Sequence, residues 1–328
     1  MRALVTGATG FTGGHLARAL AAAGHHTSAL VRDPSSVAAV DLARAGVTLV
    51  AGDLRDPDTL ANAMAGVEVV YHLAAIYRQA GIPRREYRAV NAVGAQQIVE
   101  AAARGGARRV VHCSTVGVHG DVEHPPANED APLRPGDVYQ DTKLEGERLV
   151  REAGARLGMD VTIARPSGIY GPGDRRLLKL FRGVARRRWI TLGSGEIYYH
   201  LTYVDDLVEG FRLLGEHPAA ANRTYILAGR EVTTLNALVG LIAEGAGVPA
   251  PTRHLPVWPV WVAGAVCEAV CIPLRIEPPI FRRRVDFFTK SRAFDITRAR
   301  TEVGFAPRVD LREGIRRTLG WYRTHGWL

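Results

Sequence analysis

Tyr139 and Lys143 stand four residues apart in VYQDTKLEGERLV, a run that reads as helix, so phenol and ammonium share one face. An unperturbed tyrosine has a pKa of about 10 and is a poor acid–base near neutrality. A lysine cation close by favours tyrosinate and poises the hydroxyl for proton transfer. Upstream, HCSTVGVHG closes a β-branched run. There Thr115 offers a hydroxyl that can donate to a substrate oxygen, with neighbouring Ser114 as the alternative. This set suits proton exchange at a single oxygen atom.

A second set lies at the start of the chain. Gly7, Gly10 and Gly13 form GxxGxxG directly after RALVT and at the opening of HLARALAAAG. Glycine lets such a turn close and lets backbone N–H groups approach a pyrophosphate at a helix N-terminus. Glycines also serve ordinary tight turns, but first strand, first turn and first helix is the place of a dinucleotide site. NAD-binding folds usually end the second strand on an acidic residue that takes the ribose hydroxyls. Here HHTSALVRDPSS ends on Val31, followed by Arg32. A guanidinium there suits a 2′-phosphate. Asp33 is the opposing sign, one step late and before Pro34. The expectation is NADP(H), with NAD(H) as the alternative.

These residues need a scaffold. ALVTG, TSALV, VTLVAG, VEVVYHL, RRVVHCS and DVTIARP alternate with Ala-rich amphipathic stretches, which predicts an α/β doubly wound parallel (Rossmann) sheet. After Tyr170 the rhythm fails: GPGDRRLLKLFRGVARRRW reads as a loop and a basic helix, and TYILAG as one more strand. The expected division is a nucleotide-binding domain over 1–171, rejoined by segments near 194–229. A smaller C-terminal substrate lobe takes 172–193 and 230–328.

Composition narrows the function classes. The 328 residues are 47% hydrophobic and 23% charged, as in a folded globular protein. The net charge of +9 is spread. Its densest runs, Arg186–Arg188 and Arg282–Arg284, lack aromatic interleaving, so no nucleic-acid partner is expected. Cys113, Cys267 and Cys271 are too scattered for a disulfide framework, which points to a reducing compartment, the cytoplasm. Cys267 and Cys271 lack a second ligand pair, so no metal site is expected. No leader-like apolar run follows Arg2. The apolar stretch 257–273 is broken by Pro259 and Glu268, too short to span a bilayer, and reads as a lipid-facing or pocket-lining helix. Trp258, Val262, Val266 and Val270 follow helical spacing and are expected in the core or along a pocket.

With these residues in place, the chain resembles the extended branch of the short-chain dehydrogenase/reductase superfamily, the epimerases, dehydratases and reductases. TGATGFTGGH, GDLRD, YHLAA, VNAVGA, STVGVHG, YQDTK, RPSGIYGPGD and YVDDLVEG carry the resemblance, together with the terminal VGFAPRVDLREGIRRTLGWY. It implies that Thr9, Phe11 and Thr12 join the three glycines as cofactor contacts. Asp53, with Leu54 beside it, would accept from the adenine amino group, and Leu73, Ala74 and Ala75 would line the cofactor cleft. Pro166, Gly168 and Ile169 would pack near the nicotinamide. Asn91 would help hold the catalytic architecture of Thr115, Tyr139 and Lys143, and Lys143 would also hold the nicotinamide ribose. Many relatives form a helix-pair dimer, which makes a homodimer possible.

Within that branch the chain departs from the nucleotide-sugar enzymes. Their RxxNxYGP asparagine is replaced by Gly168, and their arginine before VDD is missing from Tyr198-Tyr199-His200-Leu201. The RPSGIYGPG form and VRDP are similar to dihydroflavonol reductases and 3β-hydroxysteroid dehydrogenases. The resemblance thus implies hydride transfer between nicotinamide and a ketone or secondary alcohol on a largely apolar small molecule. The alternatives are an NAD-dependent nucleotide-sugar epimerase or dehydratase, and a non-catalytic NADP(H) sensor, a class that generally loses the YxxxK pair retained here. His200 is expected in structure or substrate contact.

Overall fold

The computed structural model describes residues 1–79, 81–271 and 285–328. The Arg282–Arg284 run and the end of the 257–273 stretch lie outside the described residues. Among the described residues the strands are β1 (Arg2–Thr6), β2 (His26–Val31), β3 (Thr48–Ala51), β4 (Val69–His72), β5 (Arg109–Cys113), β6 (Asp160–Pro166), β7 (Gly168–Tyr170), β8 (Thr191–Leu192), β9 (Tyr198–Tyr203), β10 (Thr224–Leu227), β11 (Val232–Thr234) and β12 (His254–Leu255). Seven of them form one parallel sheet in the order β10-β6-β5-β4-β1-β2-β3. The six β-branched runs of the sequence are its first six strands, and TYILAG supplies the seventh.

Helices cover both faces, so the strands carry nearly continuous apolar runs. Ala3, Val5 and Tyr71 face Leu16, Phe211 and Leu214, while Leu4, Val70 and Val110 face Ile98, Val99 and Val150. The order reverses between β1 and β4, and that reversal opens a crevice at the carboxyl ends of the strands. A second sheet, β11-β9-β7, lies beyond β6 and packs with the helices Leu178–Ala185, Leu235–Ala246 and Leu311–Thr324. The terminal VGFAPRVD segment is tied down by Asp206, whose carboxylate accepts from Arg308 N (2.9 Å) and Val309 N (3.0 Å).

The stretch after Pro256 is helical as expected, but the core and pocket readings of its apolar residues fail. Val257–Cys271 is a helix, but Trp258, Trp261, Val262, Val266 and Val270 are exposed, between 45% and 68%. They neither join a core cluster nor line the cleft. Their period matches a helix, but apolar residues surround that helix, so spacing alone names no buried face. Among the described residues no helix is long and apolar enough to cross a membrane.

The helix Val138–Leu157 carries Tyr139 and Lys143, and its fastening to the sheet is electrostatic. Glu147, one turn beyond Lys143, accepts from Arg165 of β6 through both carboxylate oxygens, at 3.0 and 2.7 Å, with both side chains buried. Arg165 also donates to Glu129 O (3.0 Å), and His119 Nε2 lies 3.2 Å from the same guanidinium nitrogen. Removing one partner of such a pair leaves a buried charge uncompensated. Glu147→Ala is therefore expected to lower the free energy of unfolding in urea by about 3–5 kcal/mol. A loss below about 1 kcal/mol, the range of exposed pairs, would contradict the role given to the pair.

Candidate active site

The glycine turn is built by close backbone approach. Gly7 has φ +71°, and a Cβ there would lie 2.7 Å from Ala74 N. At Gly13 a Cβ would lie 2.3 Å from Gly7 O. The turn closes through Gly10 N donating to Gly7 O at 3.0 Å, and the helix Phe11–Ala22 opens right after it. Its first N–H groups thus stand at the crevice, the kind of helix N-terminus that suits an anion such as a pyrophosphate.

One cleft of about 400 Å³ runs from this turn across the strand ends. Gly7, Gly10, Phe11, Thr12 and Gly13 line its first part, and Leu73, Ala75, Pro166, Gly168 and Ile169 its middle. Ser114, Thr115 and Tyr139 stand where β5 meets the tyrosine helix. The far wall comes from Val116, Leu201, Phe287 and Phe294, with Tyr77, Arg78, Gln140, Tyr199 and Arg292 among them. Of the residues expected at the site, Thr9, Arg32, Asp53, Leu54, Ala74, Asn91 and Lys143 do not line this cleft.

Their surroundings give each a different place. Buried Asn91 lies on a π-helical turn, Ala89–Val93. Its Oδ1 accepts from Ile76 N (2.8 Å), and its Nδ2 donates to Ile76 O (3.0 Å) and Thr142 Oγ1 (3.1 Å). It joins the loop after β4 to the tyrosine helix, and its amide is fully engaged there. Asp53 accepts from the Arg55 backbone and guanidinium, at 2.9 to 3.0 Å. Leu54 packs into the core beneath it. Arg32 is exposed and makes no hydrogen bond or ion pair among the described residues, though its charge helps Arg55 hold the Asp53 carboxyl low. Asp33 Oδ1 turns back to accept from Ser35 N at 2.9 Å, away from such a role.

Thr115 Oγ1 accepts from Gly117 N at 3.0 Å, which leaves its own O–H free to donate into the cleft. Ser114 Oγ is buried without a partner among the described residues. Burial pushes the Tyr139 phenol upward, with Cys113 and Tyr77 adding to it and Arg78 and Arg176 opposing. Tyr139 is therefore held as a neutral phenol. Lys143, in turn, faces the sheet rather than the tyrosine.

Lys143 Nζ lies 3.4 Å from His112 Nε2, in a row that strand register alone assembles. Thr6, His72 and His112 are successive partners across β1, β4 and β5. Thr6 Oγ1 accepts from Ala74 N (3.2 Å) and is hydrogen-bonded to His72 Nδ1 at 2.8 Å. The two imidazoles stack with centroids 5.4 Å apart, and His72 Nε2 and His112 Nδ1 are buried without partners among the described residues. Burial, and then the Lys143 charge, hold both rings neutral, His72 at about 3 and His112 well below its ordinary range. Burial lowers Lys143 as well, opposed by Cys113 and Glu147.

The comparisons fit this geometry. Residues 3–228 match the model of the NAD dependent epimerase/dehydratase family, and the chain belongs to that family. It is 32% identical to sterol demethylase protein B of Methylococcus capsulatus over the whole length of both proteins. It is 29% identical to the 3beta-hydroxysteroid-dehydrogenase/decarboxylase isoform 2 of Arabidopsis thaliana, over 96% of this chain and 61% of that protein's length. Among solved structures it is similar to the dTDP-glucose 4,6-dehydratase DesIV of Streptomyces venezuelae with NAD bound. That likeness has a TM-score of 0.79 at 25% identity, over 100% of this chain and 98% of that one. The chain is thus an NAD(P)-dependent enzyme of oxidoreductase type.

Of the lining residues that the sequence reading missed, Tyr77, Arg78, Phe287, Arg292 and Phe294 belong to no quoted motif, while Gln140 sits inside YQDTK and Tyr199 beside His200 without being assigned a role. His200 was marked, and both its ring nitrogens are engaged, Nδ1 by Phe294 N (3.3 Å) and Nε2 near Gly229 O (2.6 Å).

The buried histidines give a sign for pH dependence. His72 is neutral in the native state down to about 3, whereas the unfolded chain binds that proton below about 6.5. The unfolded state holds more protons in this window, so acidification from 6.5 toward 3 removes stability. The stability gap between wild type and His72→Asn should narrow by roughly 2–3 kcal/mol between pH 6.5 and 4.5, in denaturant titrations. A gap independent of pH would contradict the neutral assignment.

Proposed function

We propose that the protein transfers hydride between NADP(H) and a ketone or secondary alcohol on a largely apolar small molecule, with Tyr139 as acid–base. The observation that carries this reading is the continuity of the cleft. The glycine turn, the Thr115 and Tyr139 hydroxyls and an apolar wall of Val116, Leu201, Phe287 and Phe294 share one space. A bound nicotinamide supplies or accepts the hydride at the carbonyl carbon. Thr115, with its free O–H, polarises the carbonyl oxygen. Tyr139 gives that oxygen its proton, and its buried neutral phenol suits donation. Asn91 and the Arg165–Glu147 pair keep the tyrosine helix in place, while His112 holds the Lys143 ammonium.

Arg32 is the residue that would take a 2′-phosphate, since it is exposed and makes no hydrogen bond or ion pair among the described residues, while Asp33 is committed to Ser35. The nucleotide-sugar reading draws on the likeness to the dTDP-glucose dehydratase. Two positions speak against it. A Cβ at Gly168 would lie 2.7 Å from Leu201 Cδ2, so an asparagine there would displace the apolar wall. Close to the position of the second expected grip, His200 is spent on backbone groups.

Tyr139→Phe removes the proton donor and keeps the ring. It should lower kcat for ketone reduction by about 10²–10⁴-fold with NADPH affinity unchanged in titrations. Turnover near the wild-type rate would overturn the assignment.

A further inference from the structure

Among the described residues three arginines line the cleft, and carboxylates answer two of them. Arg78 is paired with Asp137 at 3.0 Å, and Arg176 with Asp174 at 2.7 Å. Arg292 makes no ion pair among the described residues. Its Nη2 reaches only the carbonyl of Asp286, at 3.5 Å, and its guanidinium lies beside the Tyr199 hydroxyl, which donates to Phe287 O. The Asp286 carboxylate is taken by Lys290 at 3.0 Å. No Asp or Glu among the described residues lines the cleft.

The backbone that presents Arg292 is fixed on both sides. Arg292 N donates to Tyr198 O (2.8 Å), and Phe294 N donates to His200 Nδ1 (3.3 Å). Ala293 O accepts from Ala127 N at 2.9 Å, and Asp295 N donates to Ala127 O at 2.8 Å. This half-buried guanidinium presents its donors as a fork, and among the described residues it meets only the Asp286 carbonyl and the Tyr199 oxygen, with no carboxylate to fill it. A carboxylate fills such a fork with two parallel charge-assisted hydrogen bonds.

We infer that Arg292 is the anchor for a carboxylate on the substrate, so that the molecule reduced at Tyr139 is an oxo acid with an apolar body. This rests on the ketone-reductase reading above and adds its substrate class. It also gives the apolar wall a polar counterpart: Arg292 fixes one end of the molecule while the wall accepts its hydrocarbon.

The test uses the whole protein saturated with NADP(H), which keeps probes off the glycine turn. Calorimetry compares decanoate with methyl decanoate on wild type, Arg292→Leu and Arg292→Lys. Decanoate should bind the wild type at least about tenfold more tightly than its ester, and Arg292→Leu should abolish that preference. Arg292→Lys should keep a reduced part of it, because a point charge attracts without the fork. Equal binding of acid and ester, or a preference that survives Arg292→Leu, overturns the anchor. Stronger Arg292-dependent binding of UDP than of decanoate also overturns it, by assigning the guanidinium to a diphosphate.

Turnover of 3-, 4- and 5-oxodecanoate beside their methyl esters separates this proposal from the reading beneath it. An Arg292-dependent rise in KM for the acids alone supports both. Esters reduced as well as acids, with Arg292→Leu neutral, leaves the reductase and removes the anchor. Acid binding that needs Arg292 without reduction of any ketone keeps the anchor and removes the reductase.

Discussion

The site depends on one buried ion pair. Tyr139 and Lys143 sit at the start of a twenty-residue helix that leans on the sheet, and Glu147 is the point at which that helix is bolted to β6. Arg165 also donates to Glu129 O, so β6, the helix and the loop before it are fixed together. A hydrophobic contact would hold the helix against the sheet but would leave it free to slide. A bidentate pair fixes rotation and translation at once. The glycine turn reaches the same crevice from the other side of the topological reversal, and the strand order sets the distance between the two.

The structure alters the division of labour between Tyr139 and Lys143. Their spacing places them on one helix and suggests that the ammonium acts on the phenol. Folding gives Lys143 a nearer partner, His112, across 3.4 Å, and the cations that pull on the phenol are Arg78 and Arg176. His112 was beyond reach of any spacing argument, because it meets Lys143 only through the register of β5 against the helix. The outcome favours a neutral phenol, which agrees with proton donation during reduction.

Much of the scaffold was legible in the chain. Six β-branched runs gave six parallel strands because five of them are largely buried on both faces, with only the edge strand β3 left half-exposed. The glycine turn was legible because only glycine tolerates a Cβ position 2.3 Å from a carbonyl oxygen. The far wall was not. Phe287, Arg292 and Phe294 come from an irregular segment whose place is set by hydrogen bonds to Tyr198, His200 and Ala127, and no local pattern announces such pairings. Trp258 and its neighbours failed in the opposite way, since a clear helical period was present and the face it marked is exposed.

The most direct measurement of the central claim is the nucleotide that the protein holds and prefers. The purified protein is denatured and any released nucleotide identified, and the stripped protein is then titrated with NADPH and NADH. A reductase that exchanges cofactor at each turnover, with Arg32 at the 2′-phosphate, predicts an empty protein that binds NADPH at least about tenfold more tightly than NADH. Tightly retained NAD(H), or equal affinity for the two, would contradict the role of Arg32. Retention in particular would favour an epimerase, which keeps its cofactor through a round trip.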